Sequence, residues 1–128
     1  MPRILFAEDG PTVMQLSGGL LDDDNLIIDV ATNGRQTLDL INAESSAYQL
    51  IVLGETLPDV SGMECVAFLR KMYRRLPILM LVDTLTDDRR LQFGKVGLRP
   101  KHLLEKPTDP ETFALWVKQA LAEAPERP

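Results

Sequence analysis

Five short apolar runs, each followed by a segment with helical spacing, constrain the fold of this chain more than any other feature. Parallel strands must be joined by crossover connections, so regular alternation of strand and helix predicts a parallel sheet covered by helices on both faces. We therefore predict an α/β protein with a doubly wound (βα)5 sheet of five parallel strands in the flavodoxin-like order 2-1-3-4-5. The five runs are Arg3–Ala7, Leu26–Val30, Leu50–Leu53, Pro77–Val82 and His102–Leu104.

The segments between these runs carry apolar residues at helical spacing and residues that commonly begin helices. Gly18 and Gly19 weaken the second half of the first predicted helix, because glycine is a poor helix former. The predicted starts lie at Pro11, at Thr32 or Asn33, after Pro58, at Asp83 or Thr84, and at Asp109.

The length of 128 residues predicts one domain, which we place at residues 1–122. Residues 123–128 form a polar, proline-rich tail that we interpret as either a terminus or the start of a linker. Hydrophobic residues make up 45% of the chain and charged residues 26%, as in an ordinary soluble protein, without a recognisable signal peptide or membrane span. We therefore expect a cytoplasmic protein that does not insert into membranes.

Charge and cysteine content narrow the functional classes further. The formal net charge of -5 would repel a phosphate backbone, so direct nucleic-acid binding is not expected. The single cysteine, Cys65, excludes an internal disulfide and lies in an apolar helical pattern, which predicts a buried small hydrophobe. A basic cluster of Arg70, Lys71, Arg74 and Arg75 is typical of a solvated helix end, with an anion site as the alternative.

Three of the predicted strands end in charged residues or in a change of character. Glu8 and Asp9 follow the first strand, Gly54 and Glu55 end the third, and Lys106 follows the fifth. Ligand sites of open α/β sheets lie outside the carboxyl ends of the strands, so these residues are expected to share one site. Adjacent carboxylates repel each other and need a metal ion or a lysine nearby. We expect a direct or water-bridged contact between Lys106 and Asp9, with a solvent-exposed ionic rim as the alternative.

Together these segments resemble the receiver domain of two-component response regulators over essentially the whole chain. In that family an acidic pair and an acceptor aspartate hold Mg²⁺, and the aspartate takes a phosphoryl group from a histidine kinase. A hydroxyl after the fourth strand and a lysine then bind the phosphoryl oxygens, while an aromatic residue on the fifth strand turns inward. The resemblance rests on Ile4–Asp9, Ala31–Gly34, Leu57-Pro58, Ser61–Glu64, Pro77–Leu81 and Leu104–Pro107.

The chain departs from the family pattern at three positions that act together in receivers: the phosphoryl acceptor, the hydroxyl and the aromatic residue. By resemblance the acceptor falls on Gly54, the hydroxyl on Val82 and the switching aromatic on Leu103. Glycine has no side chain to phosphorylate, and loss of one carboxylate is expected to leave Mg²⁺ binding weak or absent. We therefore predict a pseudo-receiver, a bacterial signalling module that binds proteins without phosphorylation and is not an enzyme. Its degenerate acidic pocket would comprise Glu8, Asp9, Gly54, Glu55, Val82 and Lys106.

Two other hypotheses keep chemistry in this pocket. Glu55 is the main candidate for a surrogate acceptor, or for a metal ligand together with Glu8 and Asp9, although strand alternation points its side chain away. Thr84 would then be a displaced hydroxyl, and Asp59 or Asp83 a displaced acceptor. The third hypothesis is a module that binds a different anion or metal ion between Glu8, Asp9 and Lys106.

The resemblance also implies where partners bind. Receivers commonly use the fourth helix, the fifth strand and the fifth helix for output and dimerisation. We expect the partner to be another signalling protein, such as a histidine kinase, an output domain or a second copy of this chain. The predicted face comprises Asp87, Arg90, Leu91, Lys95, Lys101, Leu103 and Trp116, and it includes Phe113 unless Phe113 and Trp116 belong to the core.

Overall fold

The five predicted strands lie in one parallel sheet in the order β2-β1-β3-β4-β5, in a computed structural model that describes residues 2–21 and 25–124. Parallel pairing joins β1 to both β2 and β3, and β4 to both β3 and β5. The predicted fold class is confirmed. The strands are β1 Arg3–Ala7, β2 Ile27–Ala31, β3 Leu50–Gly54, β4 Ile78–Val82 and β5 Leu103–Glu105.

Helices connect the strands and cover both faces of the sheet. The first predicted helix is divided at Ser17, where Gly18 and Gly19 follow. Within residues 2–21 and 25–124, no helix has the length and apolar character needed to cross a membrane. The helices are α1 Gly10–Leu16, α2 Gly18–Leu21, α3 Gly34–Ala43, α4 Gly62–Met72, α5 Asp87–Lys95 and α6 Pro110–Glu123.

Of the three helix starts predicted at a capping residue, those of α3 and α6 are confirmed and that of α5 is wrong. Asn33 caps α3 by accepting a hydrogen bond from the Gln36 N–H, and Asp109 caps α6. The cap of α5 is Thr86, whose hydroxyl accepts from the Arg89 N–H at 3.2 Å, rather than Asp83 or Thr84. The α5 prediction failed because the Asp83 side chain is held by groups at the end of the sheet.

The chain between α5 and β5 is longer and more irregular than the apolar pattern indicates. Gly97 has a φ of +82°, a left-handed conformation that suits glycine, directly after the C-cap of α5. A 3-10 turn over Pro100–His102 follows, so the fifth strand begins at Leu103 rather than at His102. Residues 125–128 of the predicted tail lie outside the described residues.

Alternation along each strand divides the core into two layers. In β1, Leu5 and Ala7 pack under α3, α4 and α5, whereas Ile4 and Phe6 pack under α1, α2 and α6. The Phe6 ring stacks on Phe113 of α6 with centroids 5.1 Å apart. Every residue of β3 and β4 is buried, as expected for central strands covered on both faces.

Cys65 lies in the layer beneath α4 and is fully buried, which confirms the prediction made from its apolar surroundings. Burial raises the pKa of its thiol to about 11. We expect the native protein to resist alkylation by iodoacetamide at neutral pH and to react at one site once urea unfolds it, as measured by intact mass. Fast labelling of the native protein would contradict this packing.

Candidate functional site

Alternation also decides which residues meet at the carboxyl ends of the strands. Glu8 follows β1 on the side already occupied by Ile4 and Phe6, and Gly54 ends β3 on the same side. Asp83 and Lys106 follow β4 and β5 on this side too, and their side chains form an ion pair. We call Glu8, Gly54, Asp83 and Lys106 the strand-end site.

The carboxylate of Glu8 lies directly against Gly54. A Cβ atom at position 54 would stand 2.5 Å from the Glu8 carboxyl carbon and 2.5 to 2.6 Å from its two oxygens. Such distances are far below van der Waals contact, so a side chain at position 54 would require Glu8 to move. Glu8 thus occupies the space that a side chain on the central strand would otherwise take.

Glu8 is fully buried, yet both of its carboxylate oxygens have partners. Oε1 accepts a hydrogen bond from the Asp9 N–H at 3.1 Å, and Oε2 accepts from Lys106 Nζ at 3.1 Å. Burial raises the pKa of Glu8, although the Asp9 N–H and the Lys106 ammonium oppose that rise. The site therefore contains a buried carboxylate with an internal counter-charge.

Lys106 connects two carboxylates on different strands. Its Nζ lies 3.1 Å from Glu8 Oε2 and 3.3 Å from Asp83 Oδ1, and 22% of its side chain is exposed. Burial disfavours the ammonium, but hydrogen bonds and charge from Glu8 and Asp83 outweigh this effect, so the pKa of Lys106 is raised. Its backbone is fixed by a hydrogen bond from the Lys106 N–H to the Val82 carbonyl at 2.8 Å.

Asp9 does not pair directly with Lys106, whose ion-pair partners are Glu8 and Asp83, so the direct form of the predicted contact is not observed. Its Oδ1 accepts the Thr12 N–H at 2.7 Å, and Asp9 is the N-cap of α1. Hydrogen bonds from the Thr12 backbone and side chain lower the pKa of Asp9. The cap draws this exposed carboxylate toward the helix, whereas Glu8 has the length to reach Lys106.

Glu55 points to the opposite side of the sheet, as strand alternation predicts. Its Oε1 accepts the Asp83 N–H at 2.9 Å, and its Oε2 forms an ion pair with the Arg89 guanidinium of α5. Arg89 in turn lies over the Phe93 ring, 5.3 Å from its centroid. Glu55 therefore connects the end of β3 to the following loop and helix and lies outside the strand-end site.

Val82 was also predicted in the pocket, but the structure places it elsewhere. It is fully buried in the layer beneath α3, α4 and α5, on the side of the sheet opposite Glu8. The neighbouring Asp83 completes the site instead: besides its pair with Lys106, its Oδ2 accepts the Thr56 hydroxyl at 2.6 Å. Counting two positions along a strand from Leu81 would have found Asp83.

Asp59, which we considered as a displaced acceptor, has a structural role. Its Oδ1 accepts the Gly34 N–H at 2.7 Å and its Oδ2 accepts the Arg35 N–H at 3.0 Å, at the first turn of α3. These backbone hydrogen bonds lower the pKa of Asp59. Asp59 thus joins the loop after β3 to α3.

Comparison with known proteins agrees with this fold. A family model described as the response regulator receiver domain matches residues 4–118. The chain belongs to this receiver family. Receiver domains are modules of two-component signalling that interact with proteins such as kinases and output domains.

Relatives of this receiver differ greatly in length. This chain is 30% identical over 125 residues to the peroxide stress-activated histidine kinase mak3 of Schizosaccharomyces pombe. The aligned region covers 93% of this chain but only 5% of the kinase. It is 28% identical to an uncharacterized 14.6 kDa protein of Leptolyngbya boryana, with 96% and 93% of the two chains covered. The non-phosphorylated HemR receiver domain of Leptospira biflexa has the same fold, with a TM-score of 0.82 at 23% identity and 98% of each chain covered.

Glu8, Asp9 and Glu55, the carboxylates considered as metal ligands, point toward different partners. Glu8 faces Gly54 and Lys106, Asp9 faces the start of α1, and Glu55 faces Arg89. Among residues 2–21 and 25–124, no three carboxylate, histidine or cysteine side chains converge to hold a metal ion. The donor set therefore does not fit the octahedral oxygen ligation that Mg²⁺ requires.

The predicted partner face is divided between surface and core. Leu91 is 69% exposed on α5, beside the exposed Asp87, Arg90 and Lys95. Leu103 is only 3% exposed, so its predicted place on that face is wrong: on a strand covered by helices, it turns into the core.

On α6, Phe113 is fully buried and Trp116 is half-buried. Lys101 is exposed and pairs with Glu123 at 3.1 Å. Trp116 and Lys101 both line a pocket at the other end of the sheet.

Proposed function

We propose that this receiver is a pseudo-receiver, which binds signalling proteins without being phosphorylated. The observation that carries the proposal is the Glu8 carboxylate in contact with Gly54, the residue that corresponds to the acceptor aspartate by resemblance. Lys106, the residue that corresponds to the phosphoryl-binding lysine, is already paired with Glu8 and Asp83. The strand-end site is thus filled by its own side chains, and its lysine already has two carboxylate partners.

The contacts of Glu55 support a surface that stays in one conformation. The Glu55 carboxylate accepts a hydrogen bond from the Asp83 N–H and pairs with the Arg89 side chain. In the same loop, the Leu85 N–H donates to Glu105 Oε2 at 2.7 Å. The loop between β4 and α5 is therefore attached to β3 and β5 without a phosphoryl group. A partner would meet the exposed residues of α5 in this fixed arrangement.

The proposal extends to cofactor, location and partner. We infer weak or absent Mg²⁺ binding, because Glu8, Asp9 and Glu55 each have other partners. The buried single thiol of Cys65 suits a cytoplasmic location. The partner would be a kinase, an output domain or a second copy of the chain, and a bacterial pathway is proposed by resemblance alone.

A receiver phosphorylated or metal-bound through Glu55 is the alternative, and the geometry favours it less. Glu55 is on the opposite side of the sheet from Lys106, and only 14% of its side chain is exposed. To accept a phosphoryl group it would have to leave both Arg89 and the Asp83 N–H.

Incubation with acetyl phosphate and Mg²⁺ tests the proposal. We expect the intact mass of the protein to stay unchanged, because Gly54 offers no acceptor and the Glu8 carboxylate is buried against it. A receiver domain that retains the acceptor aspartate, treated in parallel, provides the positive control. A phosphoryl adduct that maps to Glu8 or Glu55 would overturn the proposal.

A further inference from the structure

A pocket of about 180 Å³ lies at the amino-terminal edge of the sheet, at the opposite ends of the strands from the strand-end site. Its apolar part is formed by Leu50 at the start of β3, by Leu76, Pro77 and Ile78 leading into β4, and by Trp116 of α6. Engineered apolar cavities of about 150 Å³ bind benzene, so this space is sufficient for one aromatic ring.

Basic side chains surround this apolar floor. Arg74 and Arg75 are exposed after the end of α4, and Lys101 is exposed in the turn before β5. No carboxylate among residues 2–21 and 25–124 forms an ion pair with Arg70, Arg74 or Arg75. This concentration of positive charge is unusual in a chain with a net charge of -5.

The basic residues around the pocket are more than the end of α4 needs for its stability. Arg70 lies within the last turn of α4, and its NH1 donates to the Leu76 carbonyl at 2.6 Å, so it stabilises the helix end and the turn. Arg74 and Arg75 follow the helix, and within residues 2–21 and 25–124 their side chains form no hydrogen bond or ion pair. Burial, together with the nearby Lys101 and Arg70 charges, lowers the pKa of His102, which is consistent with a positive field in the pocket.

Glu123 is the one acidic side chain that lines the pocket within residues 2–21 and 25–124. It pairs with Lys101 at 3.1 Å, with about half of each side chain exposed. A carboxylate therefore already contacts the basic rim, and an exposed pair of this kind is exchanged at little cost.

We propose that this basic pocket binds an acidic peptide segment of the partner protein. A large apolar or aromatic side chain of the peptide would occupy the floor beside Trp116, and flanking carboxylates would pair with Arg74 and Arg75. A buried aromatic anchor surrounded by charge is the arrangement that protein interfaces commonly use. The inference rests on the proposed function, because it supplies the chemistry of the partner that the module binds.

Trp116 is the only tryptophan in the chain, so its fluorescence reports on the pocket directly. The probe is an acetylated, amidated pentapeptide with phenylalanine between two pairs of glutamates. We expect this peptide to change the Trp116 fluorescence saturably. Its dissociation constant should be at least about fivefold lower than those of versions with alanine in the centre or lysines on the flanks. Equal binding of all three peptides would overturn the proposal.

Variants that remove positive or negative charge from the pocket should change the affinity for the peptide in opposite directions, which a general structural effect would not do. R74A/R75A is expected to weaken binding about fivefold, because two exposed ion pairs with the peptide are lost. R35A/K118A removes the same amount of charge from side chains that do not line the pocket and should leave binding unchanged. E123Q frees Lys101 and is expected to tighten binding. Unchanged binding in both R74A/R75A and E123Q would overturn the proposal. Phosphoryl labelling does not involve this pocket, so its result tests the proposed function separately.

Discussion

Replacement of Glu8 by alanine is expected to lower the free energy of unfolding by about 3 kcal/mol. The change removes one member of a buried ion pair, for which losses of roughly 3 to 5 kcal/mol are typical. We take the lower end because Lys106 keeps Asp83 as a partner and is partly exposed. Urea unfolding at neutral pH measures the difference.

Substitutions at Gly54 test whether the side chain at position 8 fills the space beside the central strand. G54D alone is expected to destabilise the protein by about 2 kcal/mol, because its Cβ meets the Glu8 carboxylate and a further negative charge enters the site. In E8A/G54D the new carboxylate takes the place of the old one, so most of the E8A loss should be recovered.

The matched control is E8A/G54A, which supplies the Cβ atom without the charge and should remain about as unstable as E8A. The double-mutant cycle between positions 8 and 54 is expected to give a coupling of at least about 2 kcal/mol. Simple additivity of E8A and G54D would show that the two positions do not share one space.

Replacement of Glu55 by alanine is expected to loosen the loop between β4 and α5 and to cost about 2 kcal/mol of stability. It leaves the Arg89 charge without its carboxylate and the Asp83 N–H without its acceptor. Amide hydrogen exchange should accelerate in residues 83–93 while β1 and β3 stay protected.

Two further variants separate the effect of the Glu55 charge from that of its hydrogen bond and control for the loss of a carboxylate. E55Q keeps an oxygen for the Asp83 N–H but removes the charge, so its effect should be intermediate. E44A removes an exposed carboxylate at the C-cap of α3 and should leave exchange in residues 83–93 unchanged. Unchanged exchange there in E55A would contradict a fixed α5.

Strand periodicity predicted the architecture well, because parallel strands buried on both faces leave continuous apolar runs such as Leu50–Leu53. Helix caps were less predictable where two acceptors compete for different partners. Asp83 looked like a cap, but Lys106 and Thr56 hold its carboxylate, and Thr86 caps α5 instead.

The site showed the same pattern of success and failure. The carboxyl ends of the parallel strands bring Glu8, Gly54 and Lys106 to one edge of the sheet, as expected. Three placements were not anticipated: Asp9 caps α1, Val82 faces the other core layer, as alternation from Leu81 indicates, and Leu103 is buried. These outcomes depend on which side of the sheet a residue faces and on which nearby N–H groups lack a partner.

The pair between Lys106 and Glu8 joins residues 98 positions apart, from β1 and from the chain just after β5. These two strands are not neighbours, and β3 and β4 lie between them in the sheet. During synthesis, a chain that has not yet emerged as far as residue 106 leaves Glu8 without its ammonium. The last crossover therefore completes the electrostatics of the first strand, and native stability depends on a contact of high sequence separation, the kind that slows folding.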